Sequence, residues 1–209
     1  MPPKSELIKN LVADGRALRA SDFRDAGVSS SELTRSIERG DVVQWARGIY
    51  CGPDIPNGMS YAAVTLRHPG GVVCMQSAAA IHGISDLNPS QVWYAIDRSK
   101  NRAAPTGVNR DPVRMLSWTG PAMTVGVGPM KFAGVDVLVT NAARTVVDLL
   151  RRSIKAGAVG NEQTMKALSD FVREGGDLDD VWEYAKALGC LEQIEPIVHT
   201  AAAVSTPKI

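Results

Sequence analysis

Three short helical patterns and then two short β-rich runs occupy the first fifty residues, and this order constrains the fold more than any other feature. Helices are predicted over Lys4–Asp14, Asp22–Ala26 and Ser30–Arg39, each of which is followed by a glycine. Ser21 is the predicted N-cap of the second helix, a serine cluster opens the third, and Val28 seals the turn between them. The runs Asp41–Trp45 and Gly48–Cys51 predict a β-hairpin. Helix, helix, turn, helix and hairpin is the element order of a winged helix-turn-helix, which we predict over residues 1–54.

The remainder of the chain has a mixed pattern beyond Gly52–Gly58, a proline- and glycine-rich stretch that predicts a linker. Four strands are predicted, over Gln91–Asp97, Val113–Trp118, Met123–Val127 and Val135–Val139. Helices are predicted from Asn141 onward, and the first of them, Asn141–Arg152, is expected to be capped by Thr140. We therefore expect an α+β fold: the winged helix-turn-helix, followed over residues 59–209 by a mixed α/β domain with a small antiparallel sheet and C-terminal helices.

Charge is unevenly distributed, although the net charge is only +1. Residues 97–155 carry ten basic and four acidic groups, whereas residues 156–209 carry four basic and nine acidic groups. Residues 1–58 are neutral, with eight of each sign. A positive potential in the middle of the chain suits phosphate backbones or acidic partners, and a solvated surface is the alternative interpretation.

Several classes of protein are disfavoured. No apolar run approaches the length of a membrane span, and the start MPPKSELIK lacks the apolar core of a signal peptide, so we expect a cytoplasmic protein without membrane contact. Cys51, Cys74 and Cys190 are widely spaced, form no metal-binding motif, and are interpreted as small buried apolar side chains.

Enzymatic motifs are also missing from the sequence. It contains no HExxH, GxSxG or P-loop motif, and Asp136 is the single acidic residue of its predicted strand. Asp177, Asp179 and Asp180 fall at a predicted helix N-terminus, where acidic residues are electrostatically favoured. We therefore expect no catalytic residue, metal or cofactor.

The third predicted helix has the two faces that a recognition helix needs. Leu33 and Ile37 form the inward pair, and short polar or basic side chains fall on the opposite side, toward a major groove. Arg47 lies at the predicted hairpin tip, as a wing residue does. The residues predicted to contact DNA are Ser30, Ser31, Thr34, Arg35, Arg39 and Arg47.

A second interpretation remains open for the same elements. Small helix-turn-helix folds also dock protein partners, and Glu32, Glu38 and Asp41 would repel phosphates if they faced them. The neighbouring Trp45 is interpreted as a packing residue of the hairpin rather than a base-stacking one.

Three blocks, taken in order, resemble the AbiEi antitoxin family of type IV toxin–antitoxin and abortive-infection systems. The first is RSIERGDVVQWARGIY (35–50), which ends in a Gly-aliphatic-Tyr motif. The second is QSAAAIHGI (76–84), and the third is VDVLVTNAARTVVDLLRR (135–152), with its Ala-Arg-Thr-aliphatic-aliphatic-Asp pattern. The resemblance covers most of residues 15–152.

This resemblance implies a transcriptional autorepressor whose winged helix binds inverted repeats in its own promoter. It further implies that the C-terminal domain counters a nucleotidyltransferase-like toxin without a stable complex. Because the sequence contains no heptad seam, a monomer and a weak homodimer remain equally open. A secondary basic surface that helps bind DNA is also implied; the residues consistent with it are Arg98, Lys100, Arg102, Arg110 and Arg114.

Two further side-chain roles follow from the residues of the second and third blocks. His82 is interpreted as a satisfied buried or capping histidine rather than a catalytic one. Arg144 and Asp148 are four residues apart on a predicted helix and are expected to form a structural ion pair across one turn.

Overall fold

The fold is mixed α/β. The structure, a computed structural model, describes residues 3–86, 89–99, 112–157 and 161–205, with side chains through His199. In chain order, the elements are α1 (Lys4–Ala13), β1 (Leu18–Arg19), α2 (Ala20–Asp25), α3 (Ser30–Glu38), β2 (Val43–Ala46), β3 (Ile49–Cys51), α4 (Met59–Arg67), β4 (Val72–Val73), α5 (Met75–Ile81), β5 (Val92–Asp97), β6 (Val113–Trp118), a 3₁₀ turn (Gly120–Met123), β7 (Val127–Phe132), β8 (Val135–Thr140), α6 (Ala142–Lys155), α7 (Glu162–Arg173), α8 (Leu178–Ala187) and α9 (Leu191–Ser205).

The N-terminal elements form a small unit with its own apolar core. Helices α1, α2 and α3 combine with a three-stranded antiparallel sheet in the order β1-β3-β2, of which β1 lies between α1 and α2 in the chain. Apolar residues from α1 to β3 are buried together, among them Ile8, Phe23 and Leu33, and the ring of Tyr50 meets that of Phe23 edge-on at 5.6 Å. Burial of these side chains fixes α3 against α1 and the sheet.

The larger sheet has five strands in the order β6-β5-β4-β8-β7. Its neighbours β4/β5 and β7/β8 are antiparallel, whereas β4/β8 and β5/β6 are parallel. The expected mixed α/β region with C-terminal helices is therefore present, but its sheet is mixed rather than antiparallel. Sequence periodicity indicates strands but not their direction, which depends on the connections between them.

Helices cover both faces of this sheet. Side chains of alternate strand residues point to opposite sides: Trp93 and Ala95 pack with α5, α6 and the C-terminal helices, while Tyr94 and Ile96 pack with α4 and its Val64. The middle and C-terminal part of the chain is thus a three-layer arrangement, in which α6 lies across one face of the sheet.

The two sheets are joined by direct contacts. Ala46 and Cys51 of the small sheet are buried together with Met59 and Ala62 of α4. The backbone N–H of Ala17 donates to the carbonyl of Ala133, at the turn between β7 and β8, over 2.8 Å. The proline-rich stretch 52–58 therefore connects units that share an apolar cluster.

Three local predictions are wrong. The strand predicted over Met123–Val127 begins only at its last residue, Val127, which opens β7: the 3₁₀ turn ends at Met123, and the carbonyls of Ala122 and Val125 accept hydrogen bonds from Arg144 rather than from a neighbouring strand. Ser21 lies inside α2 instead of capping it. Helix α6 is capped by Asn141, whose Oδ1 accepts from the Arg144 backbone N–H at 2.9 Å, and not by Thr140.

The expected Arg144–Asp148 pair is confirmed and is almost fully buried. Nε of Arg144 donates to Oδ2 of Asp148 at 3.1 Å, and the two side chains are 1% and 5% exposed. The guanidinium also lies over the ring of Trp118, 4.9 Å from its centroid. Burial raises the pKa of Asp148 to about 6, and the adjacent Arg144 acts in the opposite direction.

Replacing Arg144 by methionine leaves the carboxylate of Asp148 buried without its cation. We expect Arg144→Met to lower the free energy of unfolding by about 3–5 kcal/mol, and Arg144→Met combined with Asp148→Leu to recover part of that loss. Lys131→Ala is the control, because the Lys131–Asp136 pair is about 70% exposed on both sides and should contribute less than about 1 kcal/mol. Urea unfolding at pH 7 measures all three, and equal losses for Arg144→Met and Lys131→Ala would contradict the expectation.

Candidate nucleic-acid interface

Helix α3 begins with a reciprocal cap. Oγ of Ser29 accepts from the backbone N–H of Glu32 at 3.3 Å, and the Glu32 carboxylate accepts from the backbone N–H of Ser29 at 2.7 Å. The serine cluster thus opens the helix, as the sequence predicts, although the cap is Ser29 itself. These hydrogen bonds lower the pKa of Glu32 and hold its carboxylate against the first turn.

One face of α3 is buried in the N-terminal core. Leu33 is 7% exposed, Ile37 is half-buried, and Val28 closes the preceding turn at 4% exposure, all as predicted. Ser36 is also fully buried, which sequence reasoning missed because a serine gives no apolar signal. Its Oγ donates to the carbonyl of Glu32 at 3.0 Å, and this bond satisfies the hydroxyl inside the helix.

The opposite face of α3 is exposed and polar. Ser30, Ser31, Thr34 and Arg35 all lie on it. Thr34 is exposed, and its hydroxyl donates to the carbonyl of Ser30 in the preceding turn at 2.9 Å. Within the described part of the chain, no hydrogen bond or ion pair holds the guanidinium of Arg35.

Arg39 is placed differently from the other predicted contact residues. Its Nε donates to Oδ2 of Asp41 at 2.9 Å, and its terminal nitrogen donates to Oγ of Ser36 at 3.0 Å. Arg39 therefore stabilises the end of α3 and neutralises Asp41, and its guanidinium is less available to a ligand than that of Arg35.

The hairpin between β2 and β3 brings Arg47 to an exposed tip. Ala46 pairs with Ile49, so Arg47 and Gly48 form the two-residue turn. Gly48 has a φ of +77°, a conformation that disfavours other residues. Trp45 lies at an irregularity in the strand register and packs beside the apolar cluster of α4, which agrees with its predicted packing role.

Of the predicted secondary basic surface, two residues can be placed. Arg98 is exposed at the end of β5, and Arg114 is exposed on β6, with its guanidinium carbon 4.7 Å from the ring centroid of Trp93. Arg152 of α6 lies at the same distance from that ring. Lys100, Arg102 and Arg110 lie outside the described residues.

The remaining side chains singled out in the sequence have structural roles. Cys51, Cys74 and Cys190 are free and buried. Nε2 of His82 lies 2.7 Å from the carbonyl of Thr140, and this contact ties the end of α5 to the end of β8.

Across the described ranges, no three His, Cys, Asp or Glu side chains are grouped so as to hold a metal ion. In the same part of the chain, no helix is long and apolar enough to cross a membrane.

Comparison with known proteins gives no family assignment. No protein-family model matches the chain, and no curated protein shows significant sequence similarity to it. The resemblance carried by the three sequence blocks therefore remains a prediction.

Ser29 gives a test of how α3 is held. We expect Ser29→Ala to lower the free energy of unfolding by about 1 kcal/mol, because the first turn loses its acceptor for the Glu32 backbone N–H. Ser30→Ala is the matched control: Ser30 is exposed, its hydroxyl holds no partner within the described residues, and the change should stay within about 0.5 kcal/mol. Thermal and urea unfolding followed by circular dichroism would measure both, and equal effects would refute the cap's contribution.

Proposed function

We propose that residues 1–54 form a winged helix-turn-helix that binds double-stranded DNA, with α3 as the recognition helix and the β2–β3 hairpin as the wing. The observation that carries this proposal is the exposed face of α3, where Arg35 has no partner among the described residues while the opposite face is buried. The order of α1, α2, α3 and hairpin, and the antiparallel pairing of β1, β3 and β2, support it.

The chemistry of each residue assigns it a part in DNA contact. Ser30 and Ser31 lie in the first turn of α3, where backbone N–H groups and the helix dipole favour a phosphate. Arg35, one turn further on, has the fork geometry that matches the O6/N7 edge of guanine. Arg47 at the hairpin tip is suited to a phosphate or to the minor groove.

Acidic residues near α3 do not oppose this function as strongly as their number suggests. Glu32 is bound to the backbone and hydroxyl of Ser29, and Asp41 accepts from Arg39 at 2.9 Å. Of the three carboxylates that sequence reasoning counted against DNA binding, Asp41 is therefore neutralised by a neighbouring cation, whereas Glu32 is fixed in position and keeps its charge. Glu38 remains exposed at the end of the helix.

The biological role that we propose follows the resemblance to AbiEi antitoxins. In this role the protein represses its own promoter through inverted repeats, and the C-terminal region counters a nucleotidyltransferase-like toxin. Exposed Arg98 and Arg114 add positive charge on the C-terminal region that would strengthen DNA binding without reading sequence.

The DNA-binding proposal is tested by fluorescence anisotropy on the duplex upstream of the protein's own gene, at two salt concentrations. Binding should weaken steeply with salt, because phosphate contacts release counterions. Arg35→Ala combined with Arg47→Ala should weaken binding at least tenfold, since a base-reading arginine alone contributes about 1–3 kcal/mol.

A matched control removes two positive charges from the C-terminal helices. Arg173→Ala combined with Lys186→Ala changes net charge equally, and both residues are exposed far along the chain from α3. Full affinity in the Arg35/Arg47 variant would refute the assignment of α3 and the hairpin. Binding of a protein partner that the same variant abolishes, without any DNA binding, would favour the docking interpretation.

The antitoxin role predicts that two activities can be separated. When the chain is co-expressed with the product of an adjacent gene that carries a nucleotidyltransferase signature, the Arg35/Arg47 variant should lose repression but still restore growth. The reason is that neutralisation is assigned to residues 59–209 and DNA binding to residues 1–54. Reporter activity and colony counts measure the two effects, and loss of rescue by a folded variant would contradict the separation.

A further inference from the structure

A cleft of about 640 Å³ lies between the sheet and the C-terminal helices, away from α3 and the hairpin. Its walls come from the end of β6, the 3₁₀ turn, the second half of α6 and the end of α8. Apolar side chains form one part of the lining, namely Met75, Leu116, Trp118, Pro121 and Leu188, and polar or charged side chains form the rest. A concave site of this size that combines apolar side chains with converging polar groups has the volume and chemistry of a small-molecule site.

Three cations line the same cleft. Arg151, Arg152 and Lys155 belong to the last two turns of α6. Within the described residues, no carboxylate lies within ion-pair distance of any of them, although Arg152 is held over the Trp93 ring at 4.7 Å. The buried Asp148 also borders the cleft, but its carboxylate is already paired with Arg144 at 3.1 Å.

The helix dipole accounts for only part of this arrangement. Basic residues are favoured in the last turn of any helix. The dipole does not explain why three of them line one concave space together with the ring of Trp118 and the side chains of Leu116 and Leu188. Unpaired cations around low-dielectric walls concentrate positive potential and attract an anion.

We propose that this cleft binds a phosphorylated small molecule that carries a flat ring system, such as a nucleoside monophosphate. Arg151, Arg152 and Lys155 hold the phosphate, with the guanidinium groups donating paired hydrogen bonds to its oxygens. Trp118, Leu116 and Leu188 receive the body of the ligand. None of the cleft residues belongs to α3 or the hairpin, but Arg152 stacks on the same Trp93 ring as Arg114 of the proposed secondary DNA surface, so the competition with duplex DNA below distinguishes the two uses.

A small ligand fits this cleft better than a nucleic-acid duplex does. Arg151 and Arg152 are only half-exposed, and they share the cleft with the buried Asp148. A duplex presents its phosphates on a convex surface, which meets exposed side chains such as Arg98 and Arg114 more easily than groups inside a concave space.

Isothermal titration calorimetry on the full chain tests the proposal, with AMP, GMP, CMP and UMP as ligands and inorganic phosphate as reference. We expect saturable binding of at least one nucleotide, at least tenfold tighter than inorganic phosphate. Arg151→Ala combined with Lys155→Ala should weaken that binding at least tenfold. Lys9→Ala combined with Lys131→Ala removes the same charge from exposed surface pairs and should change it less than twofold.

Circular dichroism and thermal unfolding first establish that both variants are folded. If the Arg151→Ala/Lys155→Ala variant does not fold, Arg151→Gln combined with Lys155→Gln takes its place. The proposal is overturned if no nucleotide binds saturably at millimolar concentration, if phosphate alone binds as tightly as the nucleotides, or if the cleft variant retains full affinity. It is also overturned if the cleft variant loses operator binding tenfold and duplex DNA displaces the nucleotide, since the cations would then serve a DNA backbone.

Discussion

The side chain of Arg144 is only 1% exposed, so the surrounding chain must supply hydrogen-bond acceptors for its guanidinium. A charge removed from water is tolerated only when acceptors surround it, and Arg144 finds them in Asp148 and in the carbonyls of Ala122 and Val125. These partners fix α6 against the loop that follows β6. A Cβ at Gly126 would lie 2.6 Å from the Cβ of Arg144, so the loop can approach the helix only because this residue is a glycine. The Arg-Thr-x-x-Asp pattern is thereby explained as a structural device.

The same helix uses its other basic residues differently, and the spacing explains why. Positions 144, 148, 151, 152 and 155 recur at helical intervals, so they follow one face of α6 from its buried first turn to its exposed end. At the buried end a cation must be compensated by protein groups. At the open end, where the 3₁₀ turn and α8 leave a cleft, the cations are available to a ligand. Anchoring of the first turn by Arg144 therefore also holds the positions of Arg151, Arg152 and Lys155 relative to the cleft wall.

Sequence patterns within a short window correctly predicted the features that depend on interactions between residues close together in the chain. The helices near 4–14, 30–39 and 141–152, the turn around Arg47 and the Arg144–Asp148 pair depend on capping, periodicity and i, i+4 contact, which a short window contains. The strand expected over Met123–Val127 was wrong because Arg144, some twenty residues later, takes its carbonyls. The cleft could not be foreseen for the same reason, since β6, α6 and α8 meet only in the folded chain. A charge count located positive residues at 97–155 but could not separate the buried Arg144 from the exposed Arg114.

Charge counting is least informative in the N-terminal region, where eight basic and eight acidic groups cancel in residues 1–58. In the fold, some of these charged side chains are bound by other groups of the same chain, whereas others face solvent. Glu32 caps its own helix, while Asp41 and Arg39 neutralise each other. Arg35 and Arg47 remain exposed, without partners among the described residues, on the helix face and the hairpin tip. Because screening reduces the field of distant charges within about 10 Å, a phosphate near α3 would respond to these two guanidiniums more than to the net charge of the region. A neutral composition is therefore compatible with a locally positive surface around Arg35 and Arg47, to which the neutralisation of Asp41 by Arg39 contributes.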